Sequence, residues 1–222
     1  MNSWEPLFLS LKLSLIATFI LVLLGVPLGY WLACTRTRIK PVIESIVSMP
    51  LVLPPSVLGF YLLLAFSPNS WFGNFLETFF NLRLVFSFEG LIIASVLYSL
   101  PFMVYPVQAA FQSLPSSLKE ASYTLGISPF RTFLQVMIPN IRPALLSGIV
   151  LTFAHTVGEF GVVLMVGGNI PGVSKVASIA IYDEVESMNY EAADFYARVL
   201  VVSSFLILLL LFWFNRKFLR RI

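Results

Sequence analysis

The stretch PSSLKEASYTLGISPFRTFLQVMIP, Pro115 to Pro139, decides how this chain is read. It is a polar helix–glycine–helix insert between apolar runs. Ser117 stands three residues before Glu120, the spacing of a capping box, so a helix is expected to start there. Gly126 closes that helix, because glycine tolerates the left-handed conformation of a helix stop. Ser128-Pro129 restarts a helix with proline at its tolerated first position. Pro139 is expected to end it, having no N–H to continue the ladder. Leu118, Tyr123, Leu125, Phe130, Phe133, Leu134 and Met137 make the insert too apolar for a solvated loop. Such a pair of short helices suits the groove of a docking partner.

The rest of the chain is membrane-like. It has 222 residues, of which 58% are hydrophobic and 11% charged, against about a quarter charged in a soluble domain. A single all-α integral membrane domain, 1–222, is expected, with no room for a large soluble domain. Any energy source would then lie on another chain. The net charge of +3 is no nucleic-acid signature, because the basic residues cluster beside apolar runs. Cys34, the single cysteine, permits no intrachain disulfide and reads as a small buried or lipid-facing side chain.

Five spans follow from runs of about 20 apolar residues: 7–33, 42–66, 91–111, 144–166 and 195–214. Residues 71–86 are apolar but broken by Asn74, Glu77, Asn81 and Arg83, which suggests an interfacial excursion. The first run has no basic start and no small-residue cleavage site, so it is not expected to be a cleaved leader. Ten of the 14 basic residues fall on one side: Arg36, Arg38, Lys40, Lys119, Arg131, Arg142, Arg216, Lys217, Arg220 and Arg221. The positive-inside rule puts the insert and the C-terminus in the cytoplasm and the N-terminus outside. The opposite-side loop 169–194 is acidic.

Three spans carry residues that bend helices. The second holds Pro50, Pro54, Pro55 and Gly59; the third, Pro101 and Pro106; the fourth, Gly158, Gly161, Gly167 and Gly168. Breaks survive in lipid where neighbours, water or a cavity satisfy the backbone. They mark either a pathway with a hinged gate or the ordinary abundance of proline and glycine in membrane helices. Gly25 and Gly29 have the spacing of a helix-packing face. His155 and Glu159 are four apart, on one helical face. Ionisable groups at that depth are costly, which makes them pathway or gate candidates; an inert buried pair is the alternative. One histidine and one cysteine are too few for a zinc site. No GxSxG elbow is present. Gly167-Gly168-Asn169-Ile170-Pro171-Gly172 lacks the Lys-Ser/Thr ending of a phosphate loop.

These residues carry a family resemblance. Glu120-Ala121-Ser122, three residues, Gly126, nine residues, then Val136-Met137-Ile138-Pro139 resembles the EAA loop of bacterial ABC importer permeases, with Ser122 at an alanine position. The resemblance implies that the loop docks on a separate cytoplasmic ATPase, through Glu120, Ala121, Ser122, Gly126 and Pro139. Pro50-Leu51-Val52-Leu53-Pro54-Pro55 with Gly59, Leu114-Pro115, Gly158-Glu159-Phe160-Gly161 and Asn169-Ile170-Pro171-Gly172 resemble molybdate permeases. The Gly-Glu-Phe-Gly element is shared with sulfate and thiosulfate permeases, which tend to be longer. His155 stands where that group often has arginine.

The resemblance implies the type I importer permease fold. It implies a multi-pass protein of a bacterial inner membrane, working as a homodimer that lines one oxyanion path. It implies two copies of a cytoplasmic ATPase that carry the ATP and Mg, with no cofactor on this chain, and a periplasmic molybdate-binding protein. Candidate path or gate residues are His155, Glu159, Gly158, Gly161, Pro54 and Pro55. Sulfate, thiosulfate or tungstate permeases are the alternatives, followed by a non-transporting membrane structural or signalling protein.

Overall fold

The computed structural model describes residues 4–219. All elements are helical: α1 (Glu5–Cys34), α2 (Lys40–Val52), α3 (Pro55–Phe66), α4 (Trp71–Phe80), α5 (Phe88–Ser113), α6 (Ser116–Thr124), α7 (Pro129–Thr132), a π-helical turn (Phe133–Met137), α8 (Ile138–Asn140), α9 (Arg142–Gly158), α10 (Gly161–Gly167), α11 (Ala177–Glu186) and α12 (Tyr190–Leu219). Three of them, α1, α5 and Tyr190–Leu210 of α12, are each long and apolar enough to cross a membrane. Two sharply bent pairs bring the number to five when each pair is one crossing. Arg220 and Arg221 lie outside the described residues, as do the side chains of Arg216 and Lys217.

α5 is the central helix. It packs along α1 and α9 and touches α2, α3 and α10. Its seam with α1 is tight because α1 offers glycines there. A Cβ on Gly25 would sit 2.8 Å from Met103 Cγ, and one on Gly29 would sit 3.0 Å from Val107 Cγ1. Small residues let membrane helices approach and gain dispersion contacts that lipid cannot supply. Leu21, Val26, Met103, Val107, Phe111, Met137 and Ile141 form the core cluster at the loop end of this seam. α2 is held to α5 by polar contacts: Gln108 Nε2 donates to Glu44 Oε1 at 2.7 Å, and Ser48 bonds Tyr105.

The proline and glycine readings divide. The second expected span is two helices, α2 and α3, meeting at 114°. Leu53 and Pro54 are extended there, with ψ of 135° and 137°. The third span does not break: α5 is continuous through Pro101 and Pro106. Helices on several sides hold it, so packing replaces the missing backbone bonds. The fourth span ends its first helix at Gly158, turns at Glu159–Phe160 and resumes as α10. The 77° bend precedes it, at Ile141. Within 71–86 the chain forms α4, capped by the Ser70 hydroxyl and closed by left-handed Asn81. Trp71, Phe79 and Phe80 of this helix are exposed.

The 169–194 stretch was expected to be a loop and instead contains α11. Its Ala177, Ile179 and Ala180 are buried against α1, α9 and α12. The buried Ser10 hydroxyl caps its start by accepting from Ala177 N at 2.8 Å. Lys175 is almost fully buried and pairs with Asp183, which also accepts from Asn169 Nδ2 at 2.9 Å. The ammonium of Lys175 holds the Asp183 carboxyl below its ordinary range. Cys34 is exposed, which excludes the buried half of the expectation and leaves the lipid-facing one. It ends α1 beside Tyr30 and Lys119.

Candidate functional site

Two places combine unusual backbone with chemistry-bearing side chains. The first is the elbow from Pro115 to Asn140. The expected capping box is not formed: the N-cap is Pro115, two residues before Ser117, with no side-chain cap bond. The proline's ψ of 135° leads the chain into the helix at Ser116, leaving Ser117 inside the first turn. The stop is as expected. Gly126 has φ +74°. Ile127 N donates to Ser122 O at 3.1 Å and Gly126 N to Tyr123 O at 3.0 Å, the pair of bonds that closes a helix through a left-handed residue. Ser128 then caps α7, with Pro129 in its first turn.

Pro139 does not end the helix. The turn Phe133–Met137 widens to π-helix, and Pro139 sits within the single turn of α8 that follows. The chain breaks two residues later, at Ile141, where φ is −98° and ψ is 8°. The wide turn absorbs the missing N–H, and Asn140 Nδ2 donates to Val136 O at 2.7 Å. Such turns recur at functional sites. Ser122 and Thr132 are both buried and bond through their hydroxyls at 2.7 Å. This ties α6 to α7, so the serine at the alanine position has a structural use here.

The apolar side chains of the elbow sort into two sets. Phe133 and Met137 turn inward, with Phe133 4.9 Å from the Tyr30 ring and Met137 in the core. Leu125 is 77% exposed and Phe130 71%; Tyr123 and Leu134 are also exposed. Glu120 and Ala121 are exposed beside them. Exposed apolar patches of this kind mark protein–protein or membrane contacts.

The second place is where the two breaks meet. A Cβ on Gly161 would lie 2.7 Å from Pro55 Cβ, and one on Gly59 would lie 2.7 Å from Met165 Cβ. So α3 and α10, the halves that follow each break, pack together because both are glycine-lined. Pro54, Pro55 and Gly161 are thus brought to one junction. Gly158 is exposed, with open space around it.

His155 and Glu159 do not bond each other, because the helix ends between them. Each addresses a different serine of α5. The Glu159 side chain is buried, and among the described residues neither carboxyl oxygen has a hydrogen bond. Ser95 lies beside it without the geometry of a hydrogen bond. Ser178 Oγ donates to the Glu159 carbonyl at 2.5 Å. His155 Nδ1 is 3.0 Å from Ser99 Oγ, which is 3.0 Å from Thr156 Oγ1. The imidazole stacks on Phe102 at 4.0 Å and leans on Tyr98 at 4.9 Å. Ser95, Ser99 and Thr156 were not singled out from the sequence. Their signal was two serines four apart in an apolar helix, the pattern of a polar seam between membrane helices.

Bent helices around a polar seam, with an exposed apolar patch on a polar elbow, fit the class of membrane permeases. The comparisons with known proteins agree. Residues 25–222 match the family model of the binding-protein-dependent transport system inner membrane component. The chain is 46% identical to the molybdenum transport system permease protein ModB of Azotobacter vinelandii, over 92% of this chain and 90% of that protein. It is 34% identical to a probable sulfate transport system permease protein cysT of Nephroselmis olivacea, over 95% of this chain and 75% of that one. Its fold is similar to a chain of the inward-facing MetNI methionine ABC transporter, with a TM-score of 0.72 at 20% identity, covering 97% of this chain and 94% of that chain. The chain therefore belongs to the family of inner membrane components of binding-protein-dependent transport systems.

Proposed function

We propose that this chain is the path-forming permease subunit of an ATP-driven molybdate importer. The observation that carries the substrate is the 46% identity to a molybdenum permease along nearly the full length of both chains. Two copies line one path, and each presents one elbow to one of two cytoplasmic ATPase subunits, as a closed two-fold assembly requires. ATP and Mg act on those subunits; this chain binds no cofactor itself. A binding protein delivers the oxyanion to the outer face of a bacterial inner membrane. The N-terminus lies outside and the elbow and C-terminus inside, in keeping with the basic residues.

The mechanism follows from the geometry. Leu125 and Phe130 enter a cleft of the ATPase. When the ATPase pair closes, the elbow moves as a unit, because Ser122–Thr132 and the Gly126 turn brace it. The π-turn and the Ile141 bend pass the displacement into α9. At the far end of α9, the Glu159–Phe160 break lets α10 and α3 shift against α5. Pro54, Pro55, Gly158 and Gly161 are the hinge of that gate, and His155 and Glu159 line it.

Labelled molybdate uptake by proteoliposomes holding the chain, its ATPase and its binding protein tests this. ATP-dependent uptake that a hundredfold excess of sulfate leaves unchanged supports molybdate; full competition by sulfate favours the second reading, an importer of sulfate, which the 34% relative supports. Charge reversal at Glu120 is expected to weaken ATPase stimulation while leaving membrane insertion intact.

A further inference from the structure

The single histidine of the chain sits at the head of a one-way hydrogen-bond relay. Thr156 Oγ1 donates to Thr152 O at 2.9 Å, since a carbonyl can only accept. A hydroxyl has one hydrogen, so Thr156 must accept in its 3.0 Å bond with Ser99, and Ser99 spends its own hydrogen there. The remaining 3.0 Å contact, Ser99 Oγ to His155 Nδ1, then requires the imidazole to donate. The relay thus fixes the proton of the neutral ring on Nδ1. Phe102 and Tyr98 hold the ring plane. The ring is half-buried, and among the described residues its Nε2 carries no hydrogen bond. A titratable edge of this kind faces the protein interior or a watery cavity rather than lipid.

Resting on the importer reading above, we propose that the Nε2 edge of His155 is a contact point for the oxyanion in the path, and that it donates to the ion only when the ring takes up a second proton. The neutral ring turns a lone pair toward the path, which repels an oxyanion. The second proton lands on Nε2 without disturbing the relay, so the same geometry changes from acceptor to charged donor. Ser99 is the positioning residue that sets this polarity. Tyr98 on α5 is the titratable side chain in contact with the ring. Among the described residues the imidazole forms no ion pair; its partners are Ser99, Phe102 and Tyr98. The switch therefore belongs to His155 rather than to an ion pair.

Because the chain has one histidine, [15N]histidine labelling of this subunit alone gives a single ring to observe in the assembled complex in nanodiscs. The expected neutral ring carries its proton on Nδ1, and molybdate perturbs the Nε2 resonance at acid pH. Ser99→Ala is expected to populate both tautomers. A wild-type ring protonated on Nε2 overturns the proposal. In proteoliposomes, the ratio of wild-type to His155→Arg uptake is measured from about pH 5 to 8. Arginine stays charged throughout, so the ratio is expected to fall about tenfold per pH unit above the imidazole pKa, in kcat/KM. A flat ratio in an active importer overturns this proposal alone. Absence of wild-type uptake of molybdate or sulfate at every pH overturns the importer reading and this proposal with it.

Discussion

The elbow at 115–140 and the junction at Pro54–Pro55 and Gly158–Gly161 are both interruptions of helix, yet they are built in opposite ways. The elbow is organised by neighbours in sequence: a glycine stop, a serine cap, a hydroxyl bond over ten residues and a π-turn. Its polar groups bond locally, and its apolar groups Leu125 and Phe130 are left exposed. The junction is organised by distant segments, α3 against α10, and among the described residues both oxygens of Glu159 and the hydroxyl of Ser95 are buried there without a hydrogen bond. A part that transmits force to a partner needs a rigid body and a sticky face. On the reading proposed above, the junction is the part that opens, and a buried group without a partner costs about 1–3 kcal/mol that another arrangement can recover.

This contrast can be broken experimentally. The largest effect is expected at the sticky face. Leu125→Asp with Phe130→Asp places charge where the ATPase cleft would close, at a loss of at least about 2 kcal/mol per site, roughly thirtyfold each in affinity; titration of solubilised permease with the ATPase measures it. Gly126→Pro comes next. Proline cannot adopt φ +74°, so the turn reorganises at a cost of about 3 kcal/mol. ATPase stimulation is expected to fall while the chain still inserts and folds, and wild-type stimulation would show that the elbow is not the lever. At the junction, Gly161→Leu forces α3 and α10 apart against Pro55, costing about 1–3 kcal/mol; a lowered unfolding temperature with altered uptake but unchanged ATPase binding would separate the two regions.

Smaller effects sharpen the picture. Ser122→Ala leaves the buried Thr132 hydroxyl without its partner and is expected to cost about 1 kcal/mol, seen as a lower unfolding temperature. At the acidic face, Asp183 is held below its ordinary pKa by Lys175. A depressed carboxylate contributes stability above its unfolded pKa and loses it as pH falls through the folded value. Acidification below the usual carboxylate range is therefore expected to loosen α11, with Asp183→Asn already loosened and insensitive to that step. Hydrogen exchange across 169–190 reads both.

What the sequence disclosed follows the same divide. The Gly126 stop, the restart at Ser128-Pro129 and the three long apolar helices were legible because each rests on residues within a turn or two of one another, or on a run of apolar side chains. The capping box at Ser117 failed because Pro115 starts the helix first. The stop at Pro139 failed because a π-turn accommodates a proline that a regular helix would not. Pro101 and Pro106 do not interrupt α5, since packing from several sides decides there. His155 and Glu159 do not bond each other as the inert-pair alternative would have them, because the helix ends at Gly158. Their separate serines on α5 lie more than fifty residues away in sequence, beyond the reach of any local pattern. The two breaks were each foreseen, but not that they meet, which only the packing of Gly59 and Gly161 reveals.

The central claim is that the elbow of this chain receives force from a cytoplasmic ATPase. It is tested most directly by disulfide cross-linking in inverted membrane vesicles, with Cys34 replaced by serine, a single cysteine at Phe130 and cysteines placed along the ATPase cleft. The account expects Phe130→Cys to cross-link to the ATPase and the yield to change when ATP is added. Cross-linking that fails along the whole cleft, or labelling of position 130 from the periplasmic side only, would contradict it.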